Sequence, residues 1–323
     1  MERNSAPALA PLRVPLGRTG LQVSPLGLGG AWLGLKGNAF DDEQAVGTVL
    51  RALELGLNLV DTSPSYAGGQ SERRIGLALD EFRRRGGRRE QLVLSTKTGT
   101  RTRPHDYSGD GTRRSVEASL KALRTEYLDV VLVHDPVSLE LVTAKDGALE
   151  ALHRLKREGL VRAVGLGVRD LGFHRRLIEA GLIDVSLTYR DFNLLSQDLL
   201  REILPLAKER GAGVLNGMAL VGGLLGGGDP LEYASDPSRH NAKARYWIYL
   251  PQNDEGARAR ALWEFCRARK VSLLALNLQF CLRERRIAST LVGAARPEEI
   301  EEDVRMARTP IPDGVWAALE ERR

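Results

Sequence analysis

Four residues stand where side chains could move a proton. Asp61 closes the apolar run LGLNLV, and Tyr66 follows within DTSPSYAGGQSERRIG. Further along, Lys97 ends QLVLSTK and His134 ends LDVVLVH. A tyrosine hydroxyl, with a reference pKa of about 10, is a poor acid or base at neutral pH unless a neighbour changes it. A nearby ammonium favours the phenolate and lowers that pKa, and a carboxylate paired to the ammonium keeps it charged and oriented. Taken singly, each residue has a plainer explanation: Asp61 as a turn acceptor in DTSP, Lys97 as a strand-end cation, His134 as a satisfied core histidine. Their shared position at strand ends, with Tyr66 in the loop between two of them, points to a proton-transfer site.

That position depends on the elements around it. Short apolar, β-branched runs alternate with helical stretches, and the pattern predicts eight strands: 25–30, 57–63, 91–97, 128–134, 161–167, 185–190, 213–218 and 287–294. Between them AVGTVLRALELG, RRIGLALDEF, SVEASLKALRTEYL, ALEALHRLKREG, HRRLIEAG, LLREILPLAKERG and EEIEEDVRMA carry apolar residues at helical spacing. Nearly continuous apolar strands separated by helices imply a parallel sheet, and eight units imply a closed (β/α)8 TIM barrel. Two short alternating runs around GRTG, before the first strand, predict a β-hairpin under the barrel. A long insert joins strands seven and eight, from about 219 to 287, and PIPDGVWAALEERR predicts a last helix packed across the barrel. Ser71 is the expected cap of the helix that starts in SERRIG.

At 323 residues the chain fits one barrel domain, residues 1–323. The net charge of +5 comes from 47 Lys and Arg interspersed with 42 Asp and Glu, not from a basic block. RRRGGRRE at 83–90 therefore reads as a solvated helix end, and no nucleic-acid partner is expected. Two cysteines without CxxC spacing suggest neither disulfides nor a metal site, and fit a reducing, cytoplasmic setting. No stretch approaches the roughly 18 apolar residues of a membrane span, so no membrane association is expected.

The constellation Asp61, Tyr66, Lys97 and His134, in DTSPSYAGGQSERRIG, VLSTKTG and DVVLVHDP, resembles the catalytic tetrad of the aldo-keto reductases. The resemblance runs from LGRTGLQVSPLGLGG through LVGAARPEEIEEDV, nearly the whole chain, and is stronger toward the aldose 1-dehydrogenase branch. It implies an NAD(P)-dependent oxidoreductase in which Tyr66 is the general acid or base, Lys97 and Asp61 tune it, and His134 orients the reacting oxygen. The implied reaction is oxidation of a sugar at C1 to its lactone. The alternatives are reduction of a sugar or other aldehyde with NADPH, and a cofactor-binding regulatory subunit without turnover.

The same resemblance puts the cofactor along Gly30, Ala31, Asp61, Leu220, Gly222, Gly293, Ala294, Arg296, Glu299, Glu302 and Asp303. Gly293 and Glu299 stand where relatives that use NADP often have a lysine and an arginine, which implies NAD, with NADP as the alternative if Arg296 supplies the cation. The family's Ser-Asn pair after strand five appears as Gly167 and Val168, its strand-six Gln as Ser186, and its strand-seven aromatic as Gly217. For the substrate, Trp32, Arg190, Asn193 and the insert's Tyr246, Trp247 and Tyr249 join Tyr66 and His134 as candidates to line a sugar pocket, with Arg190 alternatively reading an acidic substituent.

Overall fold

The computed structural model of the protein describes residues 12–36, 39–235 and 254–322. Eight strands form the expected barrel: β1 (Leu26–Gly29), β2 (Leu59–Asp61), β3 (Val93–Thr98), β4 (Leu128–His134), β5 (Val161–Gly167), β6 (Val185–Tyr189), β7 (Gly213–Gly217) and β8 (Ser289–Gly293). They follow one another in order around a closed ring, and neighbours pair in parallel.

Alternation along the strands decides what faces the barrel axis. Leu59, Val93, Val130, Leu132, Ala163, Val185, Leu187, Leu215 and Leu291 form one buried cluster with Leu16, Leu21 and Val23 of the hairpin. The residues between them, such as Val60, Leu94, Val131, Val133 and Val214, belong instead to the larger cluster packed beneath the helices. The hairpin pairs Val14–Pro15 antiparallel with Gln22–Val23 and closes the amino-terminal end of the barrel. Its turn needs a glycine: Gly17 has φ 54°, and a Cβ there would lie 2.3 Å from the Gly213 backbone nitrogen.

Helix starts follow local chemistry. Asp41, Ser108 and Asp170 accept backbone N–H bonds from Gln44, Gly111 and Phe173, capping helices Asp42–Glu54, Gly109–Leu123 and Leu171–Glu179. The single helix expected over 199–211 is two, Asp198–Glu202 and Leu204–Arg210, because Pro205 lacks the N–H that would continue the first. The insert carries helices Pro230–Ser235, Glu255–Ala268 and Leu273–Arg283, and the last helix, Asp313–Glu320, packs Val315, Trp316 and Leu319 against Leu262, Phe265 and Leu276 of the latter two. Tyr246, Trp247 and Tyr249 lie outside the described residues. Among the described residues no helix is long and apolar enough to cross a membrane.

Candidate active site

Asp61 is two residues beyond Leu59, Lys97 four beyond Val93 and His134 two beyond Leu132, so all three share the inward parity at the carboxyl ends of adjacent strands. That brings them together. Lys97 Nζ donates to Asp61 Oδ2 at 2.6 Å and to the Thr62 carbonyl at 2.8 Å. Ser95, two residues before Lys97 on the same face, donates to the other Asp61 oxygen at 2.7 Å. Lys97 and Asp61 are 1% and 3% exposed, so their charges are compensated by each other rather than by water.

Tyr66 reaches the group from the β2 loop. Gly68 and Gly69, at φ 67° and 81°, bend the chain just after it, and Arg74, itself paired with Asp42, donates to the Ala67 carbonyl at 2.9 Å. The Tyr66 ring lies 4.7 Å from Lys97 Nζ and 5.6 Å from the His134 ring, edge to face. Lys97 keeps one N–H beyond its two bonds, and the phenol is beside it.

The electrostatics modify the sequence expectation. Burial pushes the Tyr66 hydroxyl above its ordinary value, and the opposing pull of the Lys97 ammonium does not overcome it. In this state Tyr66 keeps its proton. Burial, followed by the nearby Lys97 and His105, drives His134 well below the usual histidine range, so its imidazole is neutral. His134 Nδ1 meets Thr100 Oγ1 at 2.9 Å and Ser63 Oγ at 3.2 Å, and its Nε2 is 3.6 Å from Asp135 Oδ2. Burial raises the Asp135 carboxyl, which accepts from the Tyr189 hydroxyl at 3.1 Å.

Ser63, Ser95, Thr100, Asp135 and Tyr189 went unselected in the sequence. Period-2 spacing could have found Ser95 and Tyr189, because both share the inward parity of their strands. Ser63, Thr100 and Asp135 sit one or two residues past strand ends, where sequence alone does not fix side-chain direction.

The rim has two unlike halves. The last inward-facing residues of β2, β3 and β4 are Asp61, Lys97 and His134, whereas β5, β7 and β8 end in glycines, Gly167, Gly217 and Gly293. A Cβ on Gly167 would approach Lys97 Cε at 3.6 Å, and one on Gly217 would approach Tyr189 Cβ at 3.2 Å. The missing side chains leave backbone-lined space beside the tetrad, which suits a flat ligand. Trp32 borders it, since a Cβ on Gly293 would lie 3.2 Å from Trp32 Cδ1. Gly30 is packed closely too, its carbonyl accepting from Ser71 Oγ at 2.9 Å. Ser71 is therefore not the cap expected of it: it is the first helical residue, and its hydroxyl is turned to Gly30.

At the other edge of that space Gly293 is exposed and the Ala294 side chain is buried. Glu299 accepts from the Ala295 N–H at 2.7 Å and from Arg296 Nε at 3.0 Å, so the two charges expected to face a cofactor independently are paired. Glu302 is exposed beside Arg305 at 3.3 Å, and Asp303 is 5% exposed, its carboxyl pushed up to about 8 by burial and by Glu299 and Glu302. Ala31, Leu220 and Gly222 are partly exposed, Gly222 within a turn at φ 65°.

Two expected substrate residues have other partners. Arg190 is 3% exposed and its guanidinium pairs with Glu255 of the insert. Asn193 is fully buried, its amide donating to the Arg190 carbonyl and accepting from the Leu195 and Ser196 N–H groups. Both hold the β6 loop to its surroundings, because a buried guanidinium or amide must be satisfied by the protein. Ser186 also faces away from the axis, bonded to His174 Nδ1 at 2.8 Å.

Comparison with known proteins identifies the family and the fold. The sequence family described as Aldo/keto reductase family matches residues 25–323. L-galactose dehydrogenase of Arabidopsis thaliana is 30% identical over 90% of this chain and 86% of its own length. D-threo-aldose 1-dehydrogenase of a Pseudomonas species is 28% identical over 94% of this chain and 95% of its own. The holo structure of an aldo-keto reductase from Bacillus halodurans superposes with a TM-score of 0.75 over 96% of this chain and 95% of that one, at 24% identity, a likeness of fold.

Proposed function

Because the chain belongs to the aldo/keto reductase family, and is thereby an oxidoreductase working with a nicotinamide cofactor, we propose that it transfers hydride between that cofactor and C1 of an aldose. The carrying observation is the buried Asp61–Lys97 pair at 2.6 Å with the Tyr66 ring 4.7 Å from Nζ and His134 beside it. The cofactor, when bound, supplies or accepts the hydride. The bare glycine ends of β5, β7 and β8 make room for it, with Gly30, Ala31, Leu220, Gly222 and the segment from Gly293 to Asp303 as its binding residues.

The remaining chemistry belongs to side chains. In the oxidation direction Tyr66 takes the proton of the C1 hydroxyl, and in the reduction direction its O–H returns a proton to the carbonyl oxygen. His134, neutral, hydrogen-bonds that oxygen, and Lys97, held charged by Asp61, stabilises negative charge on the phenolic oxygen. Asp135 and Tyr189, at the same mouth, supply polar groups suited to sugar hydroxyls, with Trp32 as an apolar wall. NAD is the proposed cofactor: Arg296 is neutralised by Glu299, and Glu302 adds negative charge where a 2′-phosphate would need cations. Identity with two named aldose dehydrogenases supports a sugar substrate oxidised to its lactone. The chain acts as one domain in the cytoplasm.

One observation favours reduction of an aldehyde as a second reading: Tyr66 holds its proton in this state, ready to donate. A screen of aldoses and aldehydes with NAD, NADP and their reduced forms, followed by nicotinamide absorbance, separates the readings. Turnover of an aldose with NAD is expected, and a clear preference for NADP rejects the cofactor assignment. Binding without turnover of any substrate would indicate the regulatory alternative. Tyr66→Phe is expected to bind cofactor normally and lose roughly 10²–10⁴ of turnover; wild-type turnover in that variant removes Tyr66 from the mechanism.

A further inference from the structure

We propose that Thr100 and Ser63 are positioning residues that select the tautomer of His134, keeping its proton on Nε2 so that the imidazole donates into the site. The inference rests on the reading of His134 as the residue that bonds the reacting oxygen, and it adds how the protein makes that donor.

A neutral imidazole has one N–H and one acceptor nitrogen, and what surrounds one nitrogen fixes the other. At Nδ1 there are two hydroxyls, Thr100 Oγ1 at 2.9 Å and Ser63 Oγ at 3.2 Å. Among the described residues Thr100 Oγ1 has no other hydrogen-bond partner, so His134 is where its proton goes. Ser63 Oγ accepts from the Ser65 N–H at 3.3 Å and meets Ser65 Oγ at 3.0 Å, so its own proton is free for Nδ1 when the Ser65 hydroxyl is the donor of that pair. Both hydroxyls can therefore donate to an Nδ1 lone pair. At the other nitrogen, Asp135 Oδ2 is 3.6 Å from Nε2. A lone pair there would face a carboxylate, whereas an N–H would be attracted to it. The two ends of the ring agree on the same tautomer.

The hydroxyls are also held in place. Thr100 precedes Arg101, whose guanidinium donates to Glu72 at 2.8 Å and to Ser119 Oγ at 2.7 Å, while Glu72 accepts from Thr96 Oγ1 at 2.7 Å. Glu72 is 3% exposed. From the opposite side, Tyr107 donates to the His134 carbonyl at 2.8 Å, fixing the backbone of the histidine itself. Residues of β3 and helix Ser71–Arg84 thus brace the loop that brings Thr100 to the ring nitrogen.

The test uses the full chain labelled with 15N-histidine, with the His134 resonances assigned by their loss in His134→Gln. Wild-type protein should show the Nε2–H pattern, and an Nδ1–H pattern overturns the proposal. Thr100→Val, which keeps shape and removes the hydroxyl, should move the His134 nitrogen shifts and lower kcat roughly tenfold to a hundredfold, leaving cofactor affinity unchanged. That loss is smaller than the roughly 10⁴ seen when a catalytic histidine is held in the wrong tautomer. Thr100→Ser should restore both. If Thr100→Val is unstable, Ser63→Ala should give the same pair of changes in smaller degree. Unmoved shifts and unchanged kcat in both variants overturn the proposal. The reading of His134 fails separately, if His134→Gln retains wild-type turnover.

Discussion

A buried cation–carboxylate pair lies near each end of the barrel, Arg89–Asp129 and Lys97–Asp61, and the two differ in what they leave unused. At the amino end Asp129 is fully buried and takes Arg89 Nη2 at 2.7 Å, Arg162 Nη1 at 2.9 Å and the Leu94 N–H at 2.9 Å. Arg89 in turn donates to the Leu92 and Tyr127 carbonyls and to Thr125 Oγ1, and stacks on the Tyr127 ring. Nearly every hydrogen-bonding position of that pair is filled from within the fold. At the carboxyl rim Asp61 has Lys97 and Ser95, and Lys97 has only Asp61 and the Thr62 carbonyl before the third N–H meets Tyr66. A closed network stabilises; one that ends in a spare donor beside a titratable hydroxyl can act on it. The RRRGGRRE segment shows the same contrast within a few residues: its first residues are the solvated helix end that its charge suggests, yet Arg89 at 9% exposure is part of the amino-end network.

The sharpest test of the contrast is to remove the cation from each pair. Lys97→Met should lower turnover by more than about a hundredfold, because it removes the charge that stabilises the phenolate. It also leaves Asp61 buried with Ser95 alone, at a cost of about 3–5 kcal/mol in stability. Arg89→Met leaves Asp129 with Arg162 and the Leu94 N–H, so the expected loss is about 1–3 kcal/mol, with kcat of the folded enzyme unchanged. Urea unfolding and steady-state kinetics on both variants measure this. Equal losses of turnover would erase the distinction between the two pairs.

How much of this was legible before the structure varies by residue. β4 and β5 match their predicted ranges, 128–134 and 161–167, because uninterrupted apolar runs end there in a histidine and a glycine. β2 is shorter than its prediction at both ends: Leu57 and Asn58 lie before the ladder, where Asn58 is bonded to Ser24 and Gln22, and Thr62 and Ser63 lie beyond it in the loop that leads to Tyr66. The Asp61, Lys97 and His134 positions follow from strand parity, which is a local property. Asn193 bonds within its own loop, to the Arg190 carbonyl and the Leu195 and Ser196 N–H groups, whereas the partner of Arg190 is distant in sequence. Glu255 is on the insert helix, and a charged residue's use as binder or brace depends on whether such a partner arrives. The phenol's protonation was misjudged for a related reason: sequence gives the neighbouring ammonium but not the depth of burial that outweighs it.

A third acidic group extends the comparison, because among the described residues no cation pairs with it. Asp303 is buried, with only Glu299 and Glu302 acting on it, and its carboxyl is raised to about 8 from 3.8. The sign follows directly: between those values the folded state holds a proton that the unfolded state has lost, so this residue's contribution to stability falls as pH rises from about 4 to about 8. Asp303→Asn removes the titration. The variant should be more stable than wild type near pH 8, on the order of a few kcal/mol, and the gap should close as pH falls toward 4. Thermal unfolding of the two proteins across that range measures it, and a gap independent of pH would show that Asp303 is not carrying the proton.

The smallest expected effect is also the one that reports on Tyr66 most directly. Because burial raises its pKa above 10.0, the phenol remains protonated through the neutral range. For reduction, where the O–H donates, kcat/KM should stay level from neutral pH and fall only above about 10. For oxidation, where the phenolate accepts, it should rise over the same interval. Lys97 opposes the upward shift, so losing its charge should move both inflections further toward alkaline pH in whatever turnover Lys97→Met retains. No such displacement is expected in Arg89→Met, whose cation lies at the other end of the barrel. A reduction profile already falling by about pH 8 would mean that the ammonium outweighs burial after all, and would restore the lowered pKa expected from the pairing of Tyr66 with Lys97.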